Sequence, residues 1–290
     1  MDELTRREVL RTGLLVPALF VGGELHAQSA RENAGSAKRV EEVVGYELAG
    51  AVAAHPFVIL PLGSIEFHGP HNPLGTDAII ISGIADRVAS RTQALLLPTV
   101  TFTQCPAHTA AFRGTMSIRP EVMTMYFADI LRNVLHLGMN RILVLNGHDG
   151  NIGPGRGAIA EVAHEAPESS ILFVNWWEFL STELMRSLKM FDQSNGGHGH
   201  GGPVETSAVA AFRPDLVHLD KARDLPEPPD LSGGPPYFLQ KSKAKDWPGY
   251  SGKVSEASHE KGEKLVKISE DGIVKLVDNW LSHPEAAGSW

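Results

Sequence analysis

Cysteine is almost absent from this chain: its 290 residues include one, Cys105. That excludes an internal disulfide and any site built from several thiolates, so a bound metal would have to be held by imidazole and carboxylate. A basic surplus is lacking as well. The formal charge is −8 at pH 7 and no basic stripe follows residue 45, which excludes nucleic acid as a partner, because such binding draws most of its affinity from clustered Lys and Arg on phosphates. No apolar run reaches the 18 or more residues that span a hydrocarbon core of ~30 Å. Heptads, solenoid periods and low-complexity repeats are missing too. What is present is an ordinary globular composition, 42% hydrophobic and 21% charged, long enough for one large α/β domain. Thirteen histidines supply the imidazole that a thiol-poor metal site requires.

The amino-terminal segment reads differently from the rest. Arg6 and Arg7 precede a short apolar run at 13–23, which ends in Leu25, His26 and Ala27. Basic region, short apolar region and small residue is the order of a secretory signal peptide, and the arginine pair resembles the twin-arginine type that exports folded proteins. Residues 1–27 are therefore expected to be a signal peptide, placing the mature protein, from near Gln28, in the periplasm or outside the cell without a stable membrane anchor. Residues 28–38, small and polar, read as a flexible lead-in, and 39–290 as a single domain.

Within that domain, buried-strand patterns at 57–62, 94–100, 141–146 and 171–175 alternate with helical patterns at 77–92, 120–137, 154–166 and 176–189. A parallel strand connection needs a crossover, and here the crossovers are helices, so the expected fold is an α/β, three-layer αβα sandwich around a mostly parallel sheet. Two Gly- or Pro-rich segments, 192–203 and 225–252, read as long loops. The second is expected over the pocket or at a subunit interface. A closing amphipathic helix at 256–281 should bury Leu265, Ile268, Ile273, Leu276, Val277 and Trp280.

Three segments carry chemistry, and each lies at a predicted strand end or helix start, where ligands bind in open parallel sheets. In the first, Glu66 and His68 are two residues apart, so an extended backbone points both side chains the same way. Asp77 follows at a helix start, where it could equally act as a cap. The second runs from a strand into Asn146, Gly147, His148, Asp149, Gly150 and Asn151, placing His148 on the same sheet edge as His68. The third, His198 to Ser207, sets Glu205 in a helix first turn, where the helix dipole alone would explain it, yet that explanation does not call for the imidazoles of His198 and His200. Together they offer imidazole and carboxylate, a set suited to Zn²⁺, Mn²⁺ or Fe²⁺. Trp176 and Trp177 follow a strand end, either as pocket wall or as core.

These three segments, in this order, resemble the creatininase family of amidohydrolases. The family's first motif is matched by Gly63, Ser64, Glu66, His68, Gly69, Pro70, His71, Thr76 and Asp77, its second by Asn146, Gly147, His148, Gly150 and Asn151, and its third by His200, Gly202, Glu205, Thr206 and Ser207. Phe112, Gly114 and Thr115 match a further motif in which Arg113 replaces the usual proline. Gly252, Ala257 and Gly262 match the closing one. The resemblance implies a homo-oligomeric, hexameric hydrolase of small cyclic or linear amides with two divalent metal ions, Zn²⁺ and/or Mn²⁺, or Fe²⁺. By that correspondence Glu66 and His148 bind one ion, His68 the other, and Asp77 bridges. Creatininase itself also uses a glutamate where this chain has Gly150, so Glu205 takes that role here. His200 is then the catalytic residue that carries a proton to the leaving nitrogen, with His198 as the competing choice. Two other functions compete with an amidohydrolase: a metal-dependent hydrolase or lyase of an oxidised sugar or cyclitol, and a non-enzymatic periplasmic binding protein.

Overall fold

Two central strands, β2 (Val58–Leu62) and β4 (Arg141–Asn146), are apolar almost from end to end because helices cover the sheet on both faces. Along β2 the side chains alternate. Val58, Leu60 and Leu62 join Ile142 and Val144 in one core, while Phe57 and Ile59 join Leu143 and Leu145 in the other. The computed structural model describes residues 37–192, 197–226 and 246–283. The signal at 1–27, nearly all of the lead-in, residues 193–196 of the first long loop and the middle of the second lie outside the described residues.

Among the described residues the sheet is five-stranded and parallel, in the order β1 (Lys38–Arg39), β3 (Leu95–Leu96), β2, β4, β5 (Ser170–Asn175). One helical layer comprises α4 (Pro120–His136) and α5 (Ile152–Glu165), whose Met123, Phe127, Leu131, Ala158 and Val162 meet the Val58 side of the sheet. The opposite layer comprises α2 (Thr76–Thr92), α7 (Pro203–Phe212) and α8 (His259–Ser282). The expected αβα sandwich is what forms. Smaller helices are α1 (Leu48–Ala54), α3 (Ala107–Ala110) and α6 (Thr182–Ser187). In α8, Leu265, Ile273 and Val277 are buried as the stripe requires, while Ile268, Leu276 and Trp280 are partly buried against the same core.

Three expectations need correction. The strand at 94–100 shrinks to Leu95–Leu96 with one bridge at Val100, because Pro98 interrupts the ladder. The helix at 176–189 is instead a tight turn, Trp176–Phe179, followed by α6, since Ser181 caps a new helix by accepting from Leu184 N at 3.1 Å. Lys38, assigned to the lead-in, pairs with Leu95 in edge strand β1. Pro61, in the middle of β2, costs no ladder bond. Its carbonyl accepts from Val100 N on the β3 side, so its missing N–H also faces that side, beyond the point where β3 has ended.

From β2 the chain passes to β3 on one side and then to β4 on the other. The carboxyl ends of β2 and β4 therefore flank a topological switch point, where a crevice opens. Among the described residues no helix is long and apolar enough to cross a membrane.

Candidate metal centre

The first two motifs leave β2 and β4 side by side and are clamped together. Asn151 Nδ2 donates to Gly63 O (3.0 Å) and to Asn146 Oδ1 (3.1 Å), and Gly147 N donates to Leu62 O (2.8 Å). The glycines are needed because α2 presses on both turns: a Cβ on Gly63 would sit 2.6 Å from Ala78 Cα, and one on Gly147 would sit 2.8 Å from Ile81 Cβ. That contact delivers Asp77, in the first turn of α2, to the switch point. It is not the cap of the helix, a position held by Gly75.

Glu66, His68, Asp77 and His148 converge there, all buried. His68 Nε2 lies 3.1 Å from Asp77 Oδ1 and 3.7 Å from both Glu66 Oε2 and Glu205 Oε2. His148 Nδ1 lies 2.9 Å from Asp77 Oδ2 and 3.3 Å from Glu66 Oε2. The two oxygens of Asp77 thus face different imidazoles. Each ring is anchored through its other nitrogen, His68 Nδ1 on Glu66 O (3.1 Å) and His148 Nε2 on Gln104 O (2.9 Å). A carbonyl only accepts, so those nitrogens carry the hydrogens, and the lone pairs of His68 Nε2 and His148 Nδ1 point at carboxylates.

Lone pairs facing carboxylates repel unless something positive stands between them. Glu66 Oε1 and His68 Nε2 are buried without a hydrogen-bond partner, the 3.1 Å approach of His68 to Asp77 lacking hydrogen-bond alignment. A backbone carbonyl fixing the far nitrogen of each histidine is the usual support of a metal-ligating imidazole. The set therefore fits divalent cations, and His68, Asp77 and Glu205, like Glu66, His68 and His200, group closely enough to share an ion. With no ion, protons take that role. Burial alone would lower the pKa of His68, but Asp77, Glu205 and Glu66 outweigh it and raise it to about 10. His148 is raised in the same way, against its burial, by Glu66 and Asp77, and the imidazoles in turn hold Asp77 well below the carboxylate range despite its burial. Glu205 is pushed up to about 7 by burial and by its carboxylate neighbours.

The third motif closes over this cluster. His71 Nε2 and Asn72 Nδ2 both reach Gly201 O and Thr206 Oγ1, tying the third motif to the first. Gly201 N donates to Glu205 Oε2 at 2.6 Å. His200 lines the pocket, with its Nε2 on Phe67 O (3.0 Å) and its Nδ1 4.0 Å from Glu66 Oε2. Burial and the neighbouring His68 lower its pKa to about 4, which keeps it neutral. The competing His198 instead packs on Trp177, at 5.2 Å between rings, outside the pocket lining. Trp176 belongs to the core and Trp177 packs against it.

Position 150 has no room for a side chain. A Cβ there would lie 2.2 Å from Gln104 O and 2.5 Å from His148 Nε2, so no glutamate fits at that place. Residues that sequence reasoning did not pick out also shape the pocket: His108 and Asp149 line it, and Trp247 lies against the rings of His108 (5.4 Å) and His200 (5.8 Å). Trp247 comes from the described end of the loop expected over the pocket. His108 and Trp247 carry no spacing signal, because only the folded chain brings them to the crevice.

Comparison with known proteins finds similarity over most of the chain. The family model described as creatininase, creatinine amidohydrolase, matches residues 41–277. The creatinine amidohydrolase of Pseudomonas putida is 29% identical over 252 residues, covering 82% of this chain and 95% of that protein. A mycofactocin precursor peptide peptidase of Mycobacterium ulcerans is 28% identical, covering 79% and 88%. The 3-dehydro-scyllo-inosose hydrolase of Thermotoga maritima is 25% identical, covering 76% of each chain. Solved structures of a mutant creatininase of Zn-Zn type and of a manganese creatininase match with TM-scores of 0.75 and 0.73, both at 26% identity, over 84% of this chain and 98% and 99% of theirs.

Proposed function

The chain belongs to the creatininase family of hydrolases, and from that premise we propose that it cleaves the C–N bond of a small cyclic or linear amide with water activated at a two-metal centre. The observation that carries this reading is the division of Asp77, one oxygen on His68 and the other on His148. Glu66, His148 and Asp77 would hold one ion, and His68, Glu205 and Asp77 the second. When bound there, divalent cations would lower the pKa of a water towards ~7 and polarise the amide carbonyl. Manganese and zinc creatininases among the solved relatives support Zn²⁺ or Mn²⁺, with Fe²⁺ also compatible with the donors.

His200 moves the proton. Its Nε2–H is committed to Phe67 O, so its free Nδ1 takes the proton of the attacking water and returns it to the leaving nitrogen, a poor leaving group until protonated. Residues 1–27 direct export in the folded state to the periplasm or beyond, and the mature chain assembles as a closed homo-oligomer, a hexamer.

A second reading, a hydrolase of an oxidised sugar or cyclitol, is supported by the Thermotoga relative, while the lack of room for a glutamate at position 150 weighs against creatinine itself as substrate. Elemental analysis is expected to find two divalent ions per chain, with Glu66→Gln losing one and Asp77→Asn disturbing both. A stoichiometry near zero, or small and equal effects, would overturn the two-metal reading. Metal-dependent turnover of lactams or formamides supports the amidohydrolase, and turnover confined to sugar or cyclitol compounds supports the second reading.

A further inference from the structure

Cys105 has no part in the scheme above, yet the fold fixes it at the edge of the crevice. Its N–H donates to Ser117 Oγ at 2.9 Å, while its carbonyl accepts from Gln104 Nε2 at 2.8 Å and from Ser117 Oγ at 3.1 Å. The side chain is buried; its Sγ makes a long contact, 3.9 Å to Ile65 O, and also interacts with the imidazole of His148. A nitrogen of His148, a carboxylate oxygen of Glu66 and Cys105 Sγ all lie within 4.8 Å of one another. That spacing suits ligands placed about 2.0–2.3 Å from a common ion. A separate observation points to the same place: Glu66 is 1% exposed, and its Oε1 is buried without any hydrogen-bond partner.

We infer that Cys105 is a further ligand at the position held by Glu66 and His148, binding the ion there as a thiolate and favouring zinc over manganese. The inference rests on the two-ion reading. Thiolate is a soft donor that suits Zn²⁺, whereas Mn²⁺ is served by carboxylate, carbonyl and water. On binding, the S–H bond is exchanged for a sulfur–metal bond and the proton leaves to solvent, so uptake at this position releases one proton that a serine variant retains. With one cysteine in the chain, the proposal adds a single thiolate to the imidazoles and carboxylates.

Cobalt(II), loaded into the full chain after removal of its own metal, is the probe, with cobalt content measured on the same sample. Thiolate ligation gives an intense near-ultraviolet sulfur-to-cobalt charge-transfer band that imidazole and carboxylate do not give, and with one cysteine in the chain the band has a single source. The unaltered protein is expected to show the band and Cys105→Ser to lose it, while the zinc share bound from an equimolar zinc and manganese mixture falls. Two cobalt ions per chain without the band would overturn the thiolate ligand and leave the two-ion reading standing. Failure to bind cobalt at all would overturn both.

Discussion

At the scale of single residues, the site is defined by which nitrogen of each histidine is already committed. His68, His148 and His200 each give one N–H to a main-chain carbonyl and turn the other nitrogen inward. The three differ in what that inner nitrogen meets. For His68 and His148 it meets carboxylates at 2.9–3.7 Å, whereas for His200 the nearest carboxylate oxygen is 4.0 Å away. Removal of His200 as His200→Ala should therefore lower turnover by roughly 10²- to 10⁴-fold, the range of a positioned acid or base, with metal content retained. His198→Ala should cost far less, since that ring lies on Trp177. Loss of metal in the His200 variant would make it a ligand, and intact turnover would place the proton carrier elsewhere.

The same residues make the metal-free protein sensitive to alkali. A group whose pKa is raised by folding adds stability below its unfolded value and loses it as pH rises through the folded value. His68 is raised from 6.5 to about 10, and His148 is raised as well, so the chelated protein should lose stability as pH climbs from about 7 to about 10. Below that window Glu205, raised from 4.5 to about 7, acts in the same sense, while His71, His198 and His200, lowered to about 4, act against it. Metal replaces the protons on His68 and His148, so metal-loaded protein should show a much flatter dependence. Unfolding midpoints across the alkaline window, with and without chelator, check this. Parallel curves would mean that the imidazoles are not where the metal binds.

At the scale of elements, Glu205 depends on how closely α7 meets α8. A Cβ on Gly262 would fall 1.8 Å from Ser207 O, and Ser207 follows Glu205 by two residues on α7. Ser258, the cap of α8, donates its N–H to Ser207 Oγ at 3.0 Å in the same contact. Gly262→Ala should thus push the helices apart and cost about 1–3 kcal/mol, a fall of roughly 2–4 °C in Tm per kcal/mol for a chain of this size, and it should loosen metal at the Glu205 position. Gly153→Ala in α5, where an added Cβ meets nothing within 4 Å, should be neutral or slightly stabilising. Calorimetry and metal dissociation rates on the two variants provide the comparison. Equal behaviour would show that the α7 and α8 contact does not set the site.

At the scale of the whole molecule, the proposed route of export has its own test. Replacing Arg6 and Arg7 by lysine should retain the protein in the cytoplasm, because the twin-arginine route reads the pair itself rather than its charge. Fractionation of cells expressing both forms decides it, and unchanged export would assign the protein to the general secretory route.

Much of the molecule was legible in its residues. The runs at 57–62 and 141–146 read as buried strands, and the helical crossovers between strands implied a mostly parallel sheet, since local pattern carries that information. The three motifs named Glu66, His68, Asp77, His148, His200 and Glu205, and the glycines beside them marked where α2 presses on the strand ends. Local pattern did not reveal that Trp176 begins a turn, since a new cap at Ser181 outweighs a helical-looking run. The motif match chose His200 over His198 by its spacing to Glu205, but spacing does not carry the contacts that distinguish the two rings, one on Phe67 O and the other on Trp177. The amino-acid sequence by itself determined the layers, the two central strands and the imidazole and carboxylate donors. Only the tertiary structure decided that Asp77 divides its oxygens between two imidazoles, that Gln104 O fills the space beside Gly150, and that Cys105, Trp247 and His108 reach the crevice, because these contacts join segments far apart in the chain that meet only when the sheet is assembled.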